Sequence, residues 1–139
     1  MGWFGYALLS AFFAGLVAIF GKVGVRDIDT ATATAARAAV MFAVLAAVVI
    51  VRGTGAAIGA LMGRAGIFVV LSGLAGAASW LCYFRALQLG DALRVAPIDR
   101  LSGAVTLILA ATLLGERAPL SAWIGTGLML VGALIVARS

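Results

Sequence analysis

Apolar residues run through this chain in five long blocks, and polar ones collect in the short stretches between them. The blocks fall at about Trp3 to Phe20, Ala31 to Val51, Ala65 to Leu87, Ala92 to Gly115 and Leu120 to Ala137. Each holds about 17 to 25 mostly apolar residues, enough for a helix to cross a hydrocarbon core of roughly 30 Å. The polar intervals read as helix punctuation. In VRDIDT, Asp29 or Thr30 is placed to accept the free amide hydrogens that open the second helix. Gly90-Asp91 ends the third block, and Gly115-Glu116-Arg117-Ala118-Pro119 stops the fourth and restarts the chain in a short antiparallel hairpin. Residues 52–64, RGTGAAIGALMGR, form the longest connection, glycine-rich and closed by two arginines, and read as an interfacial linker. The pattern predicts an all-α integral membrane protein, five transmembrane helices in a single domain over residues 1–139. With no Lys or Arg before the first block and no convincing small-residue cleavage site, that block reads as a retained span.

Composition agrees with the pattern. The chain is 65% hydrophobic and 11% charged, against roughly half apolar and a quarter charged for soluble domains. Its net charge of +5 comes from ten Lys and Arg against five Asp and Glu. Most of these sit between the blocks or near their ends, where they suit lipid headgroups and set orientation. A nucleic-acid partner is not expected, because no basic cluster with interleaved aromatics appears. Catalytic sets are missing as well. The sequence has no His and no Asn, and Cys82 is its only cysteine, so neither a metal cluster, a Ser/His or Cys/His pair nor a disulfide within the chain is expected. Asp27 and Asp29 are close, but solvation and helix capping explain them. No enzyme, metal or cofactor is implied.

The candidate functional residues are the polar and aromatic ones inside or beside the blocks. Arg37 lies some two turns into the second, where a charge at the centre of a span costs on the order of 3 kcal/mol and less near an end. It either snorkels to the interface or pairs inside the bundle. Trp80, Tyr83 and Phe84, at i, i+3 and i+4, gather three rings on one side of the third helix. They line a cavity or form a headgroup belt, and Phe84, with no polar handle, packs against lipid or a neighbouring helix. Arg85 reads as an end charge and Cys82 as a small apolar residue. Asp99 has two readings. If Pro97 opens the helix, Asp99 sits in a first turn where the helix dipole favours an acid. If the helix starts at Ala92, Asp99 and Arg100 lie about 10 to 12 Å inside it, beneath a proline kink, and each needs a partner elsewhere, Arg37 being a candidate for Asp99. Small residues at Ala11, Gly15 and Ala18, at Gly73, Gly76 and Ala77, and at Gly125 and Gly132 make stripes for close helix packing.

The segment SWLCYFRALQLGDALRVAPIDRLS, followed by LLGE and WIGTGLMLVGALIV, resembles the drug/metabolite transporter superfamily, and within it the five-span bacterial and archaeal proteins built from one EamA-type repeat. YALLSAFFAGLVAIFGKVGV and ATATAARAAV are similar to it in the same order, so the resemblance covers nearly the whole chain apart from residues 53–64. Larger members fuse two such repeats in inverted orientation into a ten-helix exporter with a central cavity. The resemblance therefore implies a transporter of small molecules in the cell's inner (plasma) membrane, working by alternating access. One repeat is half of such a machine, and an antiparallel homodimer would restore the other half.

Dual insertion is compatible with the loop charges. Arg52, Arg64 and Arg117 lie on the N-terminal side against Lys22, Arg26, Arg94 and Arg138 on the other; adding Arg37, Arg85 and Arg100 tips the balance toward a cytoplasmic C-terminus. The expected cavity residues are Arg37, Trp80, Tyr83, Asp99, Arg100 and Ser102, basic groups for an anionic moiety and rings for an apolar one. The four-helix multidrug members rely on an acid within the first span, which this chain lacks; Asp99 is the only acid placed to lie within a span. The competing expectation is a non-transporting membrane subunit that assembles with a partner protein.

Overall fold

The structure, a computed structural model, describes residues 2–139, without the side chains at 57, 58 and 60. Its helices are α1 (Trp3–Gly24), α2 (Thr30–Arg52), α3 (Arg64–Leu89), α4 (Ala92–Asp99), α5 (Ser102–Leu113) and α6 (Leu120–Arg138), and no strand occurs among the described residues. α1, α2, α3, the α4–α5 pair and α6 are each long and apolar enough to cross a membrane. Large apolar side chains such as Phe12, Phe42 and Leu74 are 62, 74 and 64% exposed. Water would penalise that surface, whereas lipid tails satisfy it.

The chain divides into two compact units, one of residues up to Lys22 together with Leu89–Ser139, the other of Val23–Gln88. In the Val23–Gln88 unit, α2 begins where Asp29 Oδ2 accepts from the Thr32 amide at 3.0 Å and from Thr32 Oγ1 at 3.2 Å. The Thr32 amide, the largest influence, holds the Asp29 carboxyl below its ordinary range. α2 ends at Gly53, whose φ of 66° is the left-handed conformation that suits glycine, and whose N–H donates to the Ile50 carbonyl at 3.0 Å. The linker then winds as a 3₁₀-helix over Thr54–Met62. Its end lies tight against the start of α3, because a Cβ at Gly66 would overlap the Leu61 carbonyl. The buried apolar residues of this unit, Val25, Tyr83, Phe84 and Leu87, gather where the last turns of α3 meet the segment before α2.

In the other unit, Ala18 and Ala133 are the buried apolar residues, small side chains that let helices approach closely. α6 packs along α4 and α5. Lys22 Nζ donates to the Gly90 carbonyl at 2.7 Å, and α1 runs past the expected Phe20 to Gly24. At Gly115, φ is 67° and the chain reverses, with the Glu116 amide donating to the Ala110 carbonyl at 3.1 Å.

The two readings of the fourth span are decided in favour of a start at Ala92. Asp91 occupies the N-cap position without a side-chain bond, while its carbonyl accepts from Arg94 and Val95. Pro97 is inside the helix, where it has no N–H for the Leu93 carbonyl and its ring crowds that oxygen. Helical bonding gives way a few residues on. The Leu101, Gly103 and Ala104 amides donate three residues back, to Ile98, Arg100 and Leu101, at 2.9 to 3.1 Å. The α-helix resumes at Ser102.

Candidate functional site

Arg37 and the aromatic cluster come together within the Val23–Gln88 unit. The guanidinium carbon stands 3.4 Å from the centroid of the Trp80 ring and 5.8 Å from that of Phe84. Trp80 meets Tyr83 and Phe84 edge to face, both pairs with centroids 5.6 Å apart. Measured from the hydrogen bond between Thr30 and Gln88, Arg37 and Trp80 each lie about 10 to 12 Å along their helices at 1.5 Å per residue, so cation and ring stand level. Charge and quadrupole attract by about 0.5 to 2 kcal/mol, the upper value holding where water is excluded, which offsets part of the cost of placing the cation in a span. Tyr83 and Phe84 are only 8 and 4% exposed. Both rings are thus enclosed by the protein's own side chains, which for Phe84 is the packing against a neighbouring helix rather than lipid.

What holds the ring and the cation level is a residue the sequence pattern does not single out. Gln88 Nε2 donates to the Val25 carbonyl at 3.0 Å and the Ile28 carbonyl at 2.8 Å. Its Oε1 accepts from Thr30 Oγ1 at 2.6 Å and from an Arg85 guanidinium nitrogen at 3.0 Å. One amide thus ties the turn before α2 to the end of α3, with Leu87 and Val25 sealed beneath it at 0 and 1% exposure. The only signal available in the sequence is a lone amide beside the Gly90-Asp91 break. Arg85, read as an end charge, is exposed and serves this knot.

Asp99, Arg100 and Ser102 belong to the other unit. Asp99 is the last residue of α4, Arg100 and Leu101 form the break, and Ser102 is the first residue of α5. The carbonyl of Ser102 accepts from Thr106 Oγ1 at 3.0 Å. Asp99 is half-buried and Arg100 exposed; among the described residues neither side chain makes a hydrogen bond or ion pair within its unit. Two hollows occur elsewhere. One of about 610 Å³ borders Met62, Arg64, Ile67 and Val70, and one of about 190 Å³ borders Leu107, Ala111, Glu116 and Pro119. Neither is lined by any of the six candidate residues. Cys82 is an exposed free thiol.

Five apolar spans, one of them interrupted, with a cation seated among rings, define a multi-pass membrane protein. The model of the EamA-like transporter family matches residues 1–138, and the chain belongs to that family. It is 47% identical over 135 residues to a protein of Sinorhizobium sp described as "Uncharacterized transporter in cobO 3'region", a match covering 97% of this chain and 96% of that one. No solved structure matches the chain. Membership makes the protein a membrane transporter and points away from enzymatic chemistry.

Proposed function

We propose that this transporter exports small metabolites or drug-like molecules across the inner (plasma) membrane. Residues 1–139 form one EamA-type repeat, and two copies inserted in opposite orientations make an inverted homodimer that works by alternating access. Rocking of one repeat against the other about a midplane site is the usual mechanism of inverted-repeat carriers. Arg37, Trp80, Tyr83, Asp99, Arg100 and Ser102 line the cavity. The main support is the seating of Arg37 on Trp80 inside a span, a charge that lipid would expel and a solute path would use. The break at Arg100–Leu101 adds to it, since carriers place substrate and ion sites where spanning helices are interrupted. A second copy also has surface to meet: Cβ atoms added at Gly15, Gly73, Gly125 and Gly132 would touch nothing within 4 Å among the described residues.

The reading is tested in two steps. Counterflow of a panel of radiolabelled amino acids, benzoate and benzylamine into liposomes holding the purified chain is expected for at least one probe. It should fall about tenfold or more in the Asp99→Ala/Arg100→Ala variant, a loss of at least 1.4 kcal/mol of transition-state stabilisation. Unchanged flux in a variant that still inserts removes those residues from the cavity, and a silent panel favours the non-transporting subunit. Orientation is read with single cysteines at Thr54 and Ser139 in a Cys82→Ala background, using a membrane-impermeant thiol reagent. Partial labelling of both sites from outside is expected. One site always labelled and the other never excludes the antiparallel homodimer.

A further inference from the structure

A guanidinium carries five N–H donors in its own plane and no acceptor. At 3.4 Å the Arg37 carbon lies at stacking distance from the Trp80 ring, and a ring face engages the charge without occupying the in-plane donors. Among the described residues Arg37 makes no hydrogen bond or ion pair within its unit. The acids of that unit are Asp27 and Asp29 alone. Both precede α2, and Asp29 is engaged in capping it. Arg37 is half-buried, so part of it remains accessible. The cation therefore has its face covered and its hydrogen-bonding edge open.

The ring cluster also has its cation already. Aromatic faces alone would attract an amine, but with Arg37 on Trp80 and near Phe84 a second positive charge is repelled. The Gln88 knot fixes α3 against the start of α2 before any solute arrives, so little ordering remains to oppose binding.

We propose that Arg37 and Trp80 form an anion subsite, and that the solute is a small organic anion. Its carboxylate or phosphate takes the in-plane donors of Arg37, and its apolar body lies against the rings. Cationic amines are excluded. This rests on the transporter reading above and specifies the substrate class of that site.

The test is equilibrium dialysis of radiolabelled benzoate against the full chain in phosphatidylcholine nanodiscs. Saturable binding is expected, displaced by phenyl phosphate and untouched by benzylamine. Arg37→Gln should weaken it about tenfold or more, the loss of a charge-assisted pair of hydrogen bonds, and Arg37→Lys, which keeps the charge without the planar fork, should recover part. The Trp80 emission of a Trp3→Phe/Trp123→Phe variant should change with the same midpoint, a reading that stands even if Arg37→Gln fails to insert. Benzoate binding indifferent to Arg37→Gln, equal displacement by benzylamine, or unmoved Trp80 emission each overturns the subsite. So does a headgroup occupant: in phosphatidylglycerol nanodiscs, emission already at the benzoate-bound value with no benzoate binding assigns the anion to lipid. Counterflow of benzylamine without benzoate binding removes the subsite and leaves the transporter. Benzoate binding without counterflow of any probe does the reverse.

Discussion

Arg37 lies in an unbroken helix with its guanidinium on Trp80 and near Phe84, whereas Asp99 and Arg100 stand where a span loses its helical bonding. In the first region the charge is accommodated by tertiary packing, and the backbone keeps its regular hydrogen bonds. In the second, among the described residues, the charged side chains have no partner within their unit, and the backbone tightens to bonds three residues back. A ring partner exists only while α2 and α3 stay in register, so the Arg37 region is tied down by the Gln88 knot. Among the described residues the Asp99 region has no such knot, and its amides bond three residues back within the same stretch. The contrast teaches that charges in apolar spans are accommodated in two ways, by a packed ring from another helix or at a tightened turn of the backbone.

The largest blow to the Arg37 region is Leu87→Ala. Truncating a side chain with 0% exposure should cost about 2 to 5 kcal/mol, read by thermal unfolding in detergent. A loss within the error of measurement would mean that the end of α3 is not packed as described. Gln88→Leu comes next. It keeps the volume but leaves the Val25 and Ile28 carbonyls without their donor, at about 1 to 3 kcal/mol, with faster amide exchange at Ile28–Thr30 than in the parent. Pro97→Ala should act in the opposite direction on the Asp99 region. It restores one backbone hydrogen bond to Leu93, raises stability by roughly 1 kcal/mol, and is expected to lower counterflow. Undiminished counterflow would show the break to be structural.

The smallest effect is on pH. Because the folded Asp29 carboxyl titrates below its ordinary value near 3.8, the cap stabilises α2 fully above that value. The contribution is lost as pH falls through the lower folded value. The Thr32 amide resonance should follow this titration, and Asp29→Asn, which still caps, should abolish it.

The spans themselves were legible in the sequence, because length and hydropathy suffice to identify a crossing helix. Asp29 as the N-cap and the reversal at Gly115 likewise follow from local chemistry. The fourth span was legible only as a choice, since a proline early in an apolar run either opens a helix or kinks one. Here bonds from Arg94 and Val95 to Asp91 start it upstream. The partner of Arg37 was beyond reach. A ring on another helix leaves no periodic trace, and the pairing the sequence suggested was with Asp99. Gln88 was invisible for a related reason. An amide near the end of a span has an ordinary look, and three of its four hydrogen bonds exist only once two segments far apart in sequence meet.

That separation bears on how the chain is made. Gln88 follows Val25 by 63 positions and Ile28 by 60. At about 5 to 20 residues per second of synthesis, the turn before α2 waits roughly three to twelve seconds for the amide that finishes it. During that interval the Val25 and Ile28 carbonyls lack the Gln88 donor and remain available to water. Birth of the third helix therefore finishes that turn, and the order of synthesis sets when these two carbonyls leave water.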